Sequence, residues 1–432
     1  MNEFKREIDG LFEFVEDSPT PFHVVDNIRK HLVEAGFQEL RLENVWTPNG
    51  GGKYFVTHND SSIFAFTLGN ESLANSGLKI IATHSDSPAL KLKPSPEILG
   101  HEGIVRLNTE VYGGAILMSW LDRPLSVAGR VMLKSESTLR PKSCLVNLKY
   151  PIAVIPSLAI HMNRQVNSGV ELNPQIDMLP VLSSFYDEDN KSDLILNKVA
   201  QSLNVSVDDI LDADLILYNA ERGKVVGLDY DMMICPRLDD LSMVYAGMKA
   251  LISTEKISNN LFCVFDNEEI GSGTKQGALS PTLKHILERI TDMMGMSVED
   301  YHRMIYNSFM ISADQAHAFH PNYSSKYDPI VRASINRGPV IKYNAKQKYM
   351  TDADSASVFI TLCKNADVPF QKYVNRSDMS GGSTLGNLFT SQLDIRGVDV
   401  GNPILAMHSS VETGGVLDQW YITKVFEDFY SC

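Results

Sequence analysis

The sequence is short of paired cysteines, of long apolar runs and of positive charge, and each shortage excludes something. Its five cysteines, Cys144, Cys235, Cys263, Cys363 and Cys432, are odd in number and include no Cys-x-x-Cys spacing. Four of them lie beside apolar residues. A reducing compartment is the simplest expectation. No window approaches the ~20 apolar residues that a membrane span needs. The opening stretch, MNEFKREIDGLFEFVEDSPTPF, is charged and helical in period, without the basic-then-apolar layout of a secretory leader. A soluble cytoplasmic protein is expected. Lys and Arg number 39 against 53 Asp and Glu, for a formal net charge of -14. That argues against a nucleic-acid or anionic-membrane partner, though not against a locally basic pocket for a small acidic substrate.

Several motifs are missing as well. There is no GxSxG for a serine hydrolase. GSGTKQG at 271–277 follows an apolar run, but its third Gly is one place late for a dinucleotide fingerprint. Two carboxylates also precede it and would repel a pyrophosphate. GGSTLG at 381–386 offers backbone N–H groups for an anion or plain loop punctuation, and no Walker lysine follows it. Internal repeats and low-complexity segments are absent.

What is present is an ordinary globular composition, 44% apolar and 21% charged, on a chain of 432 residues. That length exceeds one ordinary core. Helical periodicity at 3–16 and 22–36 is followed by the strand-like runs KYFVTH, SIFAFTL and LKIIATH. The last is apolar at consecutive positions, as in a central strand buried on both faces. Residues 97–235 change character, with short turn-separated strands such as SVAGRVML and one helical patch near 190–204. From 236 onward strands and helices alternate again, with helices near 240–253, 281–297, 354–365 and 416–430. The expectation is an α/β domain, residues 1–94 and 235–432, interrupted by a β-rich insertion at 95–234. Three consecutive domains are the plainer alternative.

The chemistry gathers where apolar runs give way to polar residues. LFCVFDNEEIGS sets Glu268 and Glu269 side by side, where like charges repel and lose hydration. LKIIATHSDSP supplies His84 and Asp86, CPRLDDLS supplies Asp239 and Asp240, FMISADQAHAFHP supplies Asp314, and PILAMHSSVE supplies His408. Each has a plain structural reading: a hydrogen-bonded loop His, a helix N-cap, a turn cap, a solvated loop. In an open α/β sheet, however, residues at strand carboxyl ends converge. Imidazoles and carboxylates without a thiolate suit zinc or a similar divalent ion, most simply a carboxylate-bridged pair. One Glu would then bind metal while its neighbour serves as a base.

Taken together, THSDSP, PRLDDL, DNEEIGS, SADQAHAFHPNY, GGSTLGN and LAMHSSVE resemble the aspartyl aminopeptidases, the M18 family of dizinc exopeptidases. The resemblance runs nearly end to end and in order, and it includes LAIHMNR around His161. It implies a zinc-peptidase α/β sandwich with a β-rich insertion used for assembly. It implies Asp239 as bridging carboxylate, His84 and Asp314 at one metal, and Glu269 and His408 at the other. Glu268 would be the general base and Asp86 would orient His84. Zn2+, with Co2+ or Mn2+ tolerated, would be the metal. The implied reaction releases N-terminal residues from peptides, often Asp or Glu, by way of a hydroxide held between the metals. Lys342 and Tyr349 match the substrate-contacting segment, with Arg376 a further candidate. NRSD around Arg376 departs from the expected pattern, which leaves the specificity open to a broader range. The family also implies a homo-oligomer, a tetrahedral dodecamer, in which His161 reaches a neighbouring subunit's active site. A core His on an apolar strand is the plain reading of that residue.

Other classes compete. A related metal-dependent deacylase or carboxypeptidase-like enzyme would share the metals and lack the His161 segment. A metal-free glycosidase built on Glu268 would leave both His sites without a purpose. A non-enzymatic assembly protein would not need every ligand position and the base filled.

Overall fold

The structure is a computed structural model that describes residues 2–47, 52–100, 103–184, 193–255, 257–379, 381–382 and 384–432. Residues 190–192 of the expected helical patch and Ser383 of the GGSTLG stretch lie outside the described residues. The chain forms two compact units. The first comprises Met1–Asp86, Gly223–Met407 and Glu412–Cys432, and the second comprises Ser87–Arg222 and His408–Val411.

The first unit opens with helices α1 (Asn2–Glu16) and α2 (Pro21–Glu34). The Thr20 hydroxyl accepts the His23 N–H at the start of α2, and Pro21 sits where no N–H is required. Strands β1 (Gln38–Glu39), β2 (Lys53–His58) and β3 (Ser62–Thr67), the short helix α3 (Leu73–Ser76) and strand β4 (Lys79–His84) follow. The second unit contains β5 (Ala89–Leu99), β6 (Val105–Tyr112), β7 (Leu125–Leu133), β8 (Lys142–Asn147), β9 (Val181–Ser183), α4 (Leu194–Leu203) and β10 (Ile210–Asn219). The first unit resumes with β11 (Lys224–Val226), β12 (Met232–Cys235), α5 (Leu238–Ser253), β13 (Asn260–Phe265), α6 (Thr282–Met293) and α7 (Val298–Asn307). Then come β14 (Phe309–Ala313), β15 (Ala316–His317), β16 (Val340–Tyr343), α8 (Ala353–Asn365), β17 (Gln371–Val374) and α9 (Leu385–Phe389). Strands β18 (Arg396–Gly401), β19 (Pro403–Leu405) and β20 (Glu412–Gly415) precede the last helix, α10 (Val416–Ser431).

A nine-stranded sheet in the order β1-β2-β3-β13-β4-β14-β18-β16-β17 organises the first unit. Strand β13 explains why its central runs are apolar throughout. Phe262 and Val264 enter a core shared with α1, α2, α5, α8 and α10, while Leu261, Cys263 and Phe265 enter one shared with α6, α7 and α9. A strand covered on both faces has no solvent side to mark with polar residues. The unit is therefore an α/β/α sandwich. Strand β4 runs parallel to both β13 and β14, so the three carboxyl ends lie together.

The second unit is built on a six-stranded sheet, β8-β7-β10-β5-β6-β9, whose neighbouring strands are antiparallel. Leu90, Leu107, Val127 and Leu217 from the sheet share its core with Ile195 and Val199 of α4. Strands β11 and β12, within the stretch read from sequence as insertion, join β20, β19 and β15 in a five-stranded sheet of the first unit. Helix α7 was not foreseen as a separate element. Ser297 and Asp300 form a capping box at its start. No helix among the described residues is long and apolar enough to cross a membrane.

Candidate active site

His84 is the last residue of β4 and is 1% exposed. Its Nδ1 lies 3.1 Å from the Asp86 carbonyl oxygen and 3.5 Å from Asp86 Oδ1. A proton on Nδ1 satisfies both oxygens and turns Nε2 to the other side. There Nε2 is 3.4 Å from Asp239 Oδ1 and 3.8 Å from Asp314 Oδ1. Burial alone would lower the His84 pKa, but Asp240, Asp239, Asp314 and Asp86 together raise it well above the ordinary histidine value.

The Asp pair is split in role by its surroundings. Asp240 is fully buried, and its Oδ2 accepts the His84 backbone N–H at 3.2 Å. Burial, reinforced by Asp314 and Asp239, pushes its carboxyl well above the usual range. Asp239 instead directs Oδ1 at the imidazole, and its backbone N–H donates to Glu412 Oε2 at 3.0 Å. Ligand atoms of His84, Asp239, Asp240 and Asp314 all lie within 4.8 Å of one another. Asp239 also offers an oxygen within 4.8 Å of one from Glu269. It is therefore the carboxylate common to the His84–Asp314 side and to the Glu269 side.

The adjacent glutamates follow β13 in a single 3-10 turn, Glu268–Ile270. Asp86 reaches this turn from the loop after β4. Its Oδ1 accepts the Glu268 N–H and its Oδ2 the Glu269 N–H, each at 3.1 Å. Burial, then the carboxylates of Asp314, Asp86 and Asp239 against a counteracting His84, pushes Glu268 up to about 8. Burial and Asp239 raise Glu269 well above the usual carboxyl range. Asp266, just upstream, is pushed up to about 7 by burial and by Asp86. Negative charge on so many carboxyl groups around one imidazole is mutually repulsive, and each holds its proton more tightly than usual. Oxygen and imidazole donors at this spacing fit divalent zinc, which would offset that charge.

Lys342 on β16 is 3% exposed, so it is no solvated surface charge. Its Nζ lies 3.4 Å from Asp314 Oδ2 and 5.7 Å from the centre of the Tyr349 ring. Burial opposes its charge, but Asp314, Tyr349, Asp399 and Asp239 raise its pKa above the ordinary lysine value. Arg376 pairs with Asp378 at 2.7 Å and donates to the Ser325 carbonyl. With Lys346 and Lys348 it lines a cavity of about 630 Å³.

Two candidates lie in the second unit. His408 Nδ1 is 3.2 Å from the Gly114 carbonyl oxygen. His161 lies in a turn and is exposed, so the plain reading of a core histidine on a strand fails. Its neighbours Leu158 and Met162 are 62% and 76% exposed.

Three buried residues of the first unit were missed by the sequence reading: Glu412, Gln315 and Asp399. Gln315 Nε2 donates to the Leu238 carbonyl at 3.0 Å and to Ser242 Oγ at 2.5 Å, tying the residue after Asp314 to the Asp239–Asp240 turn. Polar residues beside recognised motifs, such as Glu412 in LAMHSSVE, were the only available signal.

A buried imidazole–carboxylate cluster at the carboxyl edge of an α/β/α sandwich defines a metallohydrolase class, and comparison narrows it. Residues 14–430 match the family model described as aminopeptidase I zinc metalloprotease (M18). The probable M18 family aminopeptidase 2 of Clostridium acetobutylicum is 50% identical over 422 residues, covering 98% of each chain. Among solved structures, one from the Ape4 and Nbr1 complex superposes with a TM-score of 0.94 at 35% identity, covering 99% of this chain and 86% of that one. The S. cerevisiae mApe1 dodecamer gives a TM-score of 0.86 at 28% identity, covering 100% and 97%. The chain belongs to the M18 family. It is a zinc metalloaminopeptidase, a hydrolase of peptide bonds.

Proposed function

We propose that this enzyme is a dizinc aminopeptidase that removes acidic N-terminal residues, Asp or Glu, from peptides. The observation that carries the reading is the buried group His84, Asp239, Asp240 and Asp314, with ligand atoms within 4.8 Å of one another. His84 and Asp314 would hold one zinc, Glu269 and His408 the other, and Asp239 both, as the family resemblance implies. Imidazole and carboxylate donors also tolerate Co2+ or Mn2+. Bound zinc supplies a Lewis acid that polarises the scissile carbonyl and eases deprotonation of water.

The chain's own residues do the remaining work. Glu268 accepts the proton of the attacking water and returns it to the leaving amine. Asp86 fixes the backbone that aims Glu268 and Glu269, and it orients the His84 ring. Lys342 faces the acidic side chain of the substrate, with Tyr349 beside it. The M18 relative solved as a dodecamer supports a homo-oligomer here too. His161, exposed among exposed apolar neighbours, is available to complete a neighbouring subunit's site.

Peptides starting with Asp, Glu, Leu and Lys, each with a free and an acylated amine, test the reading. Metal-loaded enzyme is expected to release Asp and Glu fastest from free-amine peptides. Preference for acylated substrates would make it a deacylase, and preference for Leu would remove the acidic specificity.

A further inference from the structure

GSGTKQG at 271–277 is no nucleotide fingerprint, yet it folds back onto the residue in front of the two glutamates. Asn267 follows β13 and opens the Glu268–Ile270 turn in the left-handed region, at φ 63°, where Asn is better tolerated than most residues. It is buried. Its side-chain Oδ1 accepts the Thr274 hydroxyl and the Gln276 Nε2–H, each at 2.8 Å. Its carbonyl oxygen accepts the Ser272 N–H at 2.8 Å, and its Nδ2 donates to Asp266 Oδ1 at 3.2 Å. The Asp266 N–H in turn donates to the Gln276 carbonyl at 3.2 Å. Gly277 lets the loop close this tightly, because a Cβ there would lie 2.3 Å from the Ser272 carbonyl oxygen.

The two glutamates depend on this loop unequally. Asp86 holds the backbone N–H of both. Glu269, as a metal ligand, would also be fixed at the far end of its side chain. Glu268, as the base, keeps a free carboxylate, so the backbone on either side of it decides where that carboxylate stands. Asn267 is the fixed point in front of it. A misplacement of about 1 Å at a reacting group can cost about a hundredfold in rate.

We propose that Asn267 is a positioning residue for the base: its side-chain oxygen fastens the 271–277 loop behind the Glu268–Ile270 turn and so sets the approach of the Glu268 carboxylate to the scissile bond. The inference rests on the reading of Glu268 as general base.

Removing the two donors tests this while Asn267 itself stays in place. Thr274→Val deletes the hydroxyl and keeps the shape, and Gln276→Met deletes the amide and keeps the length. The double variant is expected to lower kcat on an Asp-starting peptide about 10- to 100-fold, with KM and zinc affinity within about twofold of wild type. Thr274→Ser, which keeps the donor, should restore the kcat that Thr274→Val loses. In a Glu268→Gln background the double variant should cost less than about twofold, because the carboxylate it acts through is gone. Asn267→Gly keeps the left-handed backbone, removes the oxygen from the other side of both bonds, and should reproduce the loss of the double variant. A full further loss in the Glu268→Gln background would mean a merely structural role and overturn the inference. So would weakened zinc binding, an effect confined to KM, or wild-type kcat in Asn267→Gly, a variant that leaves the loop sequence intact. Failure of the underlying reading has a different signature: Glu268→Gln alone then keeps its rate or loses zinc, before any loop residue is changed.

Discussion

The Asp86 carboxylate holds Glu268 by its backbone, accepting the N–H at 3.1 Å, while its second oxygen does the same for Glu269. That grip explains how a chain can end a buried strand on two adjacent carboxylates. The 3-10 turn separates the side chains, and the backbone is satisfied by a third carboxylate from another loop. Asp86→Ala should therefore disturb both glutamates and His84 at once. Zinc affinity is expected to fall about 10- to 100-fold, read by competition with a chromogenic chelator. Unchanged affinity would restrict Asp86 to a folding role.

Glu268→Gln keeps the shape of the side chain and removes its ability to accept a proton. The rate should fall by a factor of about 100 to 10,000, with zinc binding retained. Stopped turnover with full metal content separates the base from a ligand. Loss of zinc would instead reassign Glu268 to the metal.

The strand-end residues were legible because each breaks an apolar run. His84 follows KIIAT, and Asp314 follows FMISA. The sheet then brings those breaks together, since β4, β13 and β14 are parallel neighbours. Asp399 was not legible, because its partners Met350 and Thr384 meet it only through loops with no periodicity. Lys342 could not be told from a surface lysine, since burial of an ammonium depends on carboxylates distant in sequence. The grouping of β11 and β12 failed for a related reason. Short strands reveal their composition but not their partner, here β20.

The thiols give an independent check on the core. Burial pushes Cys235 and Cys363 up to about 12 and Cys263 well above its usual value. Cys432 is exposed and Cys144 partly so. Labelling with an aromatic disulfide at mildly alkaline pH should modify Cys144 and Cys432 in the folded protein, and the other three only after denaturation. Rapid modification of Cys263 under native conditions would contradict the packing of β13.

Asp418 links stability to pH. It accepts the Asn336 and Gly338 N–H groups, yet burial pushes its carboxyl up to about 7 from 3.8. Between those values the folded chain keeps a proton that the unfolded chain has released. The resulting stabilisation is complete below the lower value and is lost as pH rises through the upper one. Asp418→Asn stays neutral throughout. The Tm advantage of wild type over this variant should therefore shrink from about pH 4 to pH 7 and level off above that. A constant difference would contradict burial of the acid.

The most direct test of the central claim is a zinc titration of chelated enzyme, following bound metal and release of N-terminal Asp from a free-amine peptide together. The apoenzyme is expected to be inactive, to recover activity as a pair of zinc ions binds per chain, and not to recover in His84→Ala. Full peptidase activity in metal-free enzyme, or unimpaired recovery without His84, would contradict it.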